Sequence, residues 1–268
     1  MIIQIYQVDA FTDQLFGGNP AAVCPLDHWL SDDLLQQIAA ENNLSETAFV
    51  KKGDHNFQIR WFTPLAEVEL CGHATLAAAH VLFNHLHFKG NRLVFESIYS
   101  GILEVTRTKD WLTLNFPIDP VAPALPPEHL FEALGKRPLE IWKGKTDYLL
   151  YYLSQEDIEE IAPDFGKLKK IEARGIIITA PGYDCDFVSR FFAPRVGVNE
   201  DPVTGSAHTS LVPFWARRMD KTKFEARQLS ARGGYLACQL AEDRVLISGQ
   251  AVTYLTGTIH LPLINFES

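Results

Sequence analysis

Two segments of the chain share one pattern. "FQIRWFTP" from Phe57 and "FVSRFFAP" from Phe187 both read F-x-x-R-aromatic-F-x-P, at an offset of 130 residues. Downstream the offset becomes 133, where Gly72, Ala74, Ser97, Gly101, Leu103 and Asp110 meet Gly205, Ala207, Ser230, Gly234, Leu236 and Asp243. These matches fall on turn glycines and strand ends, positions that fix topology. A duplicated chain must build the same buried unit twice.

Alternating apolar and polar residues mark most of that unit as strand. "IIQIYQV", "RLVFESI", "ILEVTR", "WLTLNF", "YLLYYL", "GIIIT", "YLACQL" and "RVLIS" all carry the period of two. Helical patterns are fewer. Ser31 stands where it can cap "DDLLQQIAAEN", "GHATLAAAHVLFNHL" forms a second helix, and "TGSAHTSLVPFWARRMD" forms a third that Pro213 is expected to kink or shorten. Each copy then reads as strand, loop, central helix and antiparallel meander. The fold class is α+β, with two pseudo-symmetric lobes each wrapping a curled, mostly antiparallel sheet around a central helix. Residues 1–117 form the first lobe, residues 118–256 the second, and residues 257–268 return to the first. The segment from Val121 to Lys145, rich in proline near its start, reads as the connection.

The two central helices start alike. "CGHAT" opens one at Gly72 and "TGSAH" opens the other at Gly205. Free N–H groups and the positive end of a helix make each start an anion site, and a glycine lets backbone approach a ligand closely. If the lobes face each other, both starts serve one cleft. Gly72, Gly205 and Ser206 are therefore binding candidates. Proton chemistry needs a titratable group within reach. Glu46, in "NNLSETAFV", is the leading candidate with Ser45 beside it, and His73 and Asp201 are further acid/base candidates. Each also has a structural reading: Glu46 as a surface carboxylate, His73 as a hydrogen bonder of the helix start, Asp201 as a cap, and Cys71 as a small buried hydrophobe.

Several classes fall away. A net charge of −9 and a pI near 5.5 disfavour nucleic acid and anionic membranes as partners, while leaving a small anionic ligand open. "MIIQIYQVDAF" alternates like a strand and has no basic n-region, so it does not read as a signal peptide. Four cysteines without CxxC spacing suit a reduced, cytoplasmic protein. His80, His85 and His87 lack Cys or carboxylate companions at ligand spacing, so no metal is expected. Neither a G-x-G-x-x-G after a strand nor a Walker A pattern is present, so no nucleotide cofactor is expected.

Four blocks carry a resemblance: "DAFTDQLFGGNPAAV" (9–23), "NLSETAFV" (43–50), "RWFTPLAEVELCGHATLAAA" (60–79) and "GVNEDPVTGSAH" (197–208). In order and wording they resemble the signature blocks of the PhzF family, the phenazine-biosynthesis isomerase-like proteins. The resemblance implies the diaminopimelate epimerase-like fold, with the active site between two lobes, and often a homodimer. It implies that Glu46 moves a proton within a small carboxylate-bearing substrate, with His73, Asp201 and Ser206 at the positions of the family's other site residues and without a metal or organic cofactor. Epimerases of the same fold use two cysteines. Cys71 stands where one would be, and its counterpart in the second lobe is expected at Pro202, which carries no proton. The readings that stay open are an amino-acid epimerase and a catalytically idle ligand-binding protein.

Overall fold

The computed structural model of the protein describes residues 1–262 of the 268. Its contacts divide the chain into two compact units. The first holds Met1–Phe16, Pro20–Leu114 and residues 250–262, and the second holds Gly17–Asn19 and Asn115–Gly249. The return to the first unit therefore begins at Gln250, before the expected residue 257. Residues 263–268 of that expectation lie outside the described residues.

In the first unit, β1 (Ile2–Ala10) pairs antiparallel with the final strand, Ala251–His260. β2 (Asn19–Leu26) runs parallel to β3 (Glu46–Lys52) through the crossover helix α1 (Asp32–Asn42). β3 pairs antiparallel with β4 (Phe57–Phe62), which also holds the short β5 (Glu67–Val68). β4 runs parallel to β6 (Arg92–Ser97) through a second crossover helix, α2 (Gly72–Asn84). β7 (Gly101–Thr108) and β8 (Trp111–Pro117) then close an antiparallel meander.

The second unit repeats that order. β9 (Ala122–Pro123), α3 (Leu130–Leu134) and β10 (Glu140–Lys143) come first, so the Pro-rich segment carries elements of this unit. β11 (Asp147–Tyr151) runs parallel to β12 (Gly175–Pro181) across the short helices α4 (Gln155–Glu160) and α5 (Phe165–Leu168). β12 pairs antiparallel with β13 (Phe187–Phe192), and β13 runs parallel to β14 (Lys223–Gln228) through α6 (Gly205–Met219). β15 (Gly234–Ala241) and β16 (Arg244–Gly249) complete the meander. The registers agree as well: Phe57 pairs with Phe95 as Phe187 pairs with Ala226. The turn serines correspond too: Ser97 Oγ accepts from Ser100 N at 3.4 Å and Ser230 Oγ from Gly233 N at 3.0 Å, each just before the glycine, Gly101 or Gly234, that opens the next strand.

The central helices are where the apolar surface goes. In α2, Ala74 through Ala79, Val81, Leu82 and Phe83 are all buried, so the helix is covered on nearly every face. In α6, Pro213 sits inside an unbroken helix of 15 residues, contrary to the expected kink or shortening. Proline removes the N–H that would bond Thr209 O, and that carbonyl instead accepts from Asp119 N at 3.1 Å. Trp215 stacks on Phe187 with centroids 5.6 Å apart. A second layer lies over each sheet: Leu35, Ile38 and Ala39 of α1 against Phe49 and Phe62, and Leu130, Ala133 and Leu134 of α3 against Ile176, Ile178 and Val188. Among the described residues, no helix is long and apolar enough to cross a membrane.

Burial has a price at His208, wholly buried in α6 with its Nδ1–H donated to Thr204 O at 2.9 Å. Desolvation pushes its pKa down to about 4, against a weaker upward pull from that bond. His80 is pushed to about 4 too, by burial and then by His85. The unfolded chain takes up these protons near pH 6.5 and the native state does not, so stability should fall as pH falls from about 6.5 to 4, by up to about 3 kcal/mol per histidine. Urea unfolding at pH 7 and pH 4.5 measures this, and His208→Gln should remove its share of the slope.

Candidate active site

Glu46 is the first residue of β3 and His73 the second of α2, so a strand and a helix start present the two side chains to each other. His73 Nε2 lies 3.0 Å from Glu46 Oε2, with side-chain exposures of 5% and 15%. Oε2 is buried and receives no well-directed hydrogen bond among the described residues. Cys71, the N-cap residue of α2, puts its Sγ 3.5 Å from His73 Nδ1. Three chemically different groups thus form one cluster within the first unit.

Burial disfavours charge on His73, but the neighbouring sulfur and carboxylate overcome it and hold the imidazole well above its ordinary range. Burial first, and Glu46 second, push the Cys71 thiol up to about 11. The sulfur is therefore protonated at neutral pH, and the carboxylate of Glu46 is what stabilises the imidazolium. Ser45, half-buried, directly precedes Glu46 in the bend before β3.

Side-chain capping varies from helix to helix, and His129 at the start of α3 makes no cap bond. Ser154 and Asp164 cap α4 and α5 through their side chains, whereas Cys71 and Thr204 make no side-chain cap bond to α2 and α6. The first-turn N–H groups at Gly72–His73 and Gly205–Ser206 are left uncapped by those side chains, as an anion site requires. Ser31 is also uncapping: it occupies the N-cap of α1 without the expected bond.

In the second unit, Asp201 is not the N-cap. Its Oδ2 accepts from the N-cap residue Thr204 at 2.5 Å, and its Oδ1 accepts from Asn19 Nδ2 at 2.8 Å. Thr204, not Pro202, is the counterpart of Cys71, because Gly72 and Gly205 each open their helix one residue later. The second unit so carries a hydroxyl where the first carries a thiol. Two residues escaped the sequence reading. Asn19, wholly buried, also donates to Val203 O at 2.9 Å and fixes the loop around Asp201. Arg174 donates to Ser206 Oγ at 3.2 Å while paired with Asp147, bringing a cation to the start of α6. Asn19 stood in a quoted block, while Arg174 has no local signal at all.

The repeated arginine explains how both starts are held. Arg60 Nε and Nη2 each reach a carboxylate oxygen of Glu67 at 2.7 Å. Arg190 does the same to Glu200, at 2.7 and 3.0 Å. Each arginine also lies over the phenylalanine two residues on, Phe62 or Phe192, at 5.1 and 4.9 Å. A bidentate fork resists rotation as well as translation, so it fixes the loop that leads into the helix.

The donors Glu46, Cys71 and His73 lie within 4.8 Å of one another, but the sulfur is on the Nδ1 side of the ring and the carboxylate on Nε2, so no ion on one ring nitrogen can take both. His80 and His85 are engaged elsewhere, their Nε2 atoms 2.9 and 2.8 Å from Thr253 Oγ1.

The class is a curled α+β fold in two repeated units with an acid and an imidazole at a helix start. The family model described as phenazine biosynthesis-like protein (PhzC-PhzF) matches residues 8–257, and the chain belongs to that family. It is 52% identical over 261 residues to an uncharacterized isomerase of Pseudomonas aeruginosa, covering 97% of this chain and 100% of that one. A crystal structure of a phenazine biosynthesis protein of the PhzF family from Enterococcus faecalis is similar at 44% identity and a TM-score of 0.92, covering 97% and 100%. A predicted epimerase from the same Pseudomonas species, at 20% identity, shares the fold with a TM-score of 0.74 over 97% and 100% of the two chains. The architecture is the diaminopimelate epimerase-like one.

If the forks hold the loops, Arg60→Lys and Arg190→Lys should each lower unfolding stability by about 1–3 kcal/mol, since each loses a charge-assisted bond in a largely buried place. The exposed pair Arg92–Glu104 supplies the comparison, and Arg92→Lys should change stability by less than about 0.5 kcal/mol. Urea unfolding of the three variants is the measurement.

Proposed function

We propose that the protein is a cofactor-independent isomerase that moves a proton within a small carboxylate-bearing substrate, with Glu46 as the acid/base. The observation that carries this reading is the 3.0 Å contact between Glu46 Oε2 and the buried His73 Nε2, whose surroundings raise its pKa above the ordinary range. Glu46 takes a proton from a carbon next to an electron-withdrawing group and returns it to another carbon of the same molecule. The C–H electron pair becomes part of a shifted double bond, so no electrons leave or enter. His73 stabilises negative charge as it develops beside it. The substrate carboxylate is bound by the uncapped N–H groups of the helix start at Gly72–His73, with Ser45 as a further polar contact.

An amino-acid epimerase is the second reading, favoured by the thiol at Cys71. Two features weigh against it: the thiol is pushed to about 11 by burial, and its counterpart is Thr204. A protein that only binds ligand is the third.

Glu46→Gln keeps the shape and removes the proton carrier. General acid/base groups contribute about 10²–10⁴-fold, so solvent deuterium exchange at the reactive carbon should fall by at least that order. Cyclic and amino-acid carboxylates are the substrates to screen. Cys71→Ser should be mild. Exchange at the unaltered rate in Glu46→Gln sinks the mechanism, and a severe Cys71→Ser with a mild Glu46→Gln selects the epimerase.

A further inference from the structure

Trp29, Trp142 and Trp215 each give their indole N–H to an acceptor, at 2.9, 2.8 and 3.0 Å. Trp61 does not. It is 1% exposed, and its Nε1 has no hydrogen-bond partner among the described residues. A buried indole N–H normally finds one, because leaving it unpaired forfeits the bond it makes to water in the unfolded chain. We propose that Trp61 Nε1–H is a substrate-binding donor that gives its hydrogen bond to a carboxylate oxygen of the molecule held at the start of α2.

Strand register places the ring there. Trp61 in β4 pairs with Ala48 in β3, and Glu46 lies two residues before Ala48, so both side chains leave the same face of the sheet. The opposite face is taken: Phe49 and Phe62 pack on Leu35 and Ile38 of α1. Phe57, on the face of Trp61, meets Phe88 just beyond the end of α2, with centroids 5.7 Å apart. Trp61 lies four residues, about 13 Å, further toward the helix start. Glu46 and Trp61 are diagonal neighbours, a separation that long and aromatic side chains span.

The second unit shows what a ring at this position reaches. Ile176 pairs with Phe192 as Thr47 pairs with Phe62, so Phe191 stands in the place of Trp61 and Gly175 in the place of Glu46. A Cβ on Gly175 would overlap Phe191 Cζ, so that ring lies directly against the strand start. Arg174, 5.5 Å from the same ring, donates to Ser206, the counterpart of His73 as second residue of its helix. Phenylalanine needs no acceptor there. The first unit replaces it with a ring that donates, in the unit that also carries the acid and the imidazole. Glu46 Oε2 is as closed to solvent as Trp61 Nε1, so an opening that admits a ligand to the acid serves the indole as well. The ligand class is a small carboxylate, since an indole N–H only donates and the helix start favours an anion. This rests on the carboxylate being bound at the start of α2, as read above, and not on Glu46 carrying the proton.

Benzoate is the probe. With nitrogen-15 labelling of the full chain, the Trp61 indole signal is the one that Trp61→Phe removes; should that variant not fold, through-space contacts to Ala48 make the assignment. Benzoate should move the signal downfield, and the shift should saturate together with that of the His73 ring. Benzyl alcohol, which keeps the ring and lacks the carboxylate, should leave it in place. Trp61→Phe should weaken benzoate on the order of tenfold, as expected for one hydrogen bond to a charged group, and Trp142→Phe should not. On the substrate found by deuterium exchange, Trp61→Phe should raise KM with kcat changed much less. Failure of benzoate to bind overturns the proposal. So does a Trp61 signal that stays put while His73 responds, since the N–H then serves a buried water. A Trp61 response beside undiminished deuterium exchange in Glu46→Gln would leave the donor standing and remove the isomerase mechanism.

Discussion

A helix covered on nearly all its faces can meet a ligand only at its ends. That constraint governs α2, whose residues from Ala74 to Ala79 are all buried. The sheet curls around it because two parallel crossovers and a meander leave no other place for its apolar surface. The N-terminal end then carries the chemistry: uncapped N–H groups, the positive dipole, and a histidine in the first turn. Glu46 completes the arrangement because β3 begins where the crossover from β2 delivers it. His73 is buried, and the sulfur and carboxylate beside it raise its pKa against the pull of burial.

Duplication supplied the scaffold and divergence the chemistry. Both units have the order parallel, antiparallel, parallel, antiparallel, antiparallel, and both pin the loop before the central helix with an arginine–glutamate fork. At the helix starts they part. The first reads Cys71, Gly72, His73, and the second reads Thr204, Gly205, Ser206. Titratable groups sit at one start and hydroxyls at the other, with Asp201 tied to Thr204 and Asn19 rather than left open.

Much of this was legible in the chain. The F-x-x-R pattern located β4 and β13, and its arginine proved to be the fork. α1 falls on the segment that its apolar spacing marked. β2 has no alternating pattern to mark it and contains Pro20 and Pro25, which its parallel pairing to β3 accommodates. α3, α4 and α5 are too short for periodicity to reveal. Pro213 misled for a tertiary reason, since a loop N–H from Asp119 replaces the missing donor's work on Thr209 O. The Glu46–Cys71–His73 cluster could be guessed only in part. Sequence spacing put Cys71 beside His73, but only the strand pairing brings Glu46 to them, and only burial decides that the thiol stays protonated.

The charge state of His73 is the most direct test, because the whole account of the site turns on it. Nitrogen-15 NMR of the imidazole at pH 7 should show both ring nitrogens carrying protons, and this state should persist well above the ordinary titration range. In Glu46→Gln the same ring should lose that stabilisation and turn neutral, as desolvation alone demands. A neutral His73 at pH 7 in the unaltered protein, or a charge indifferent to Glu46, would contradict the account.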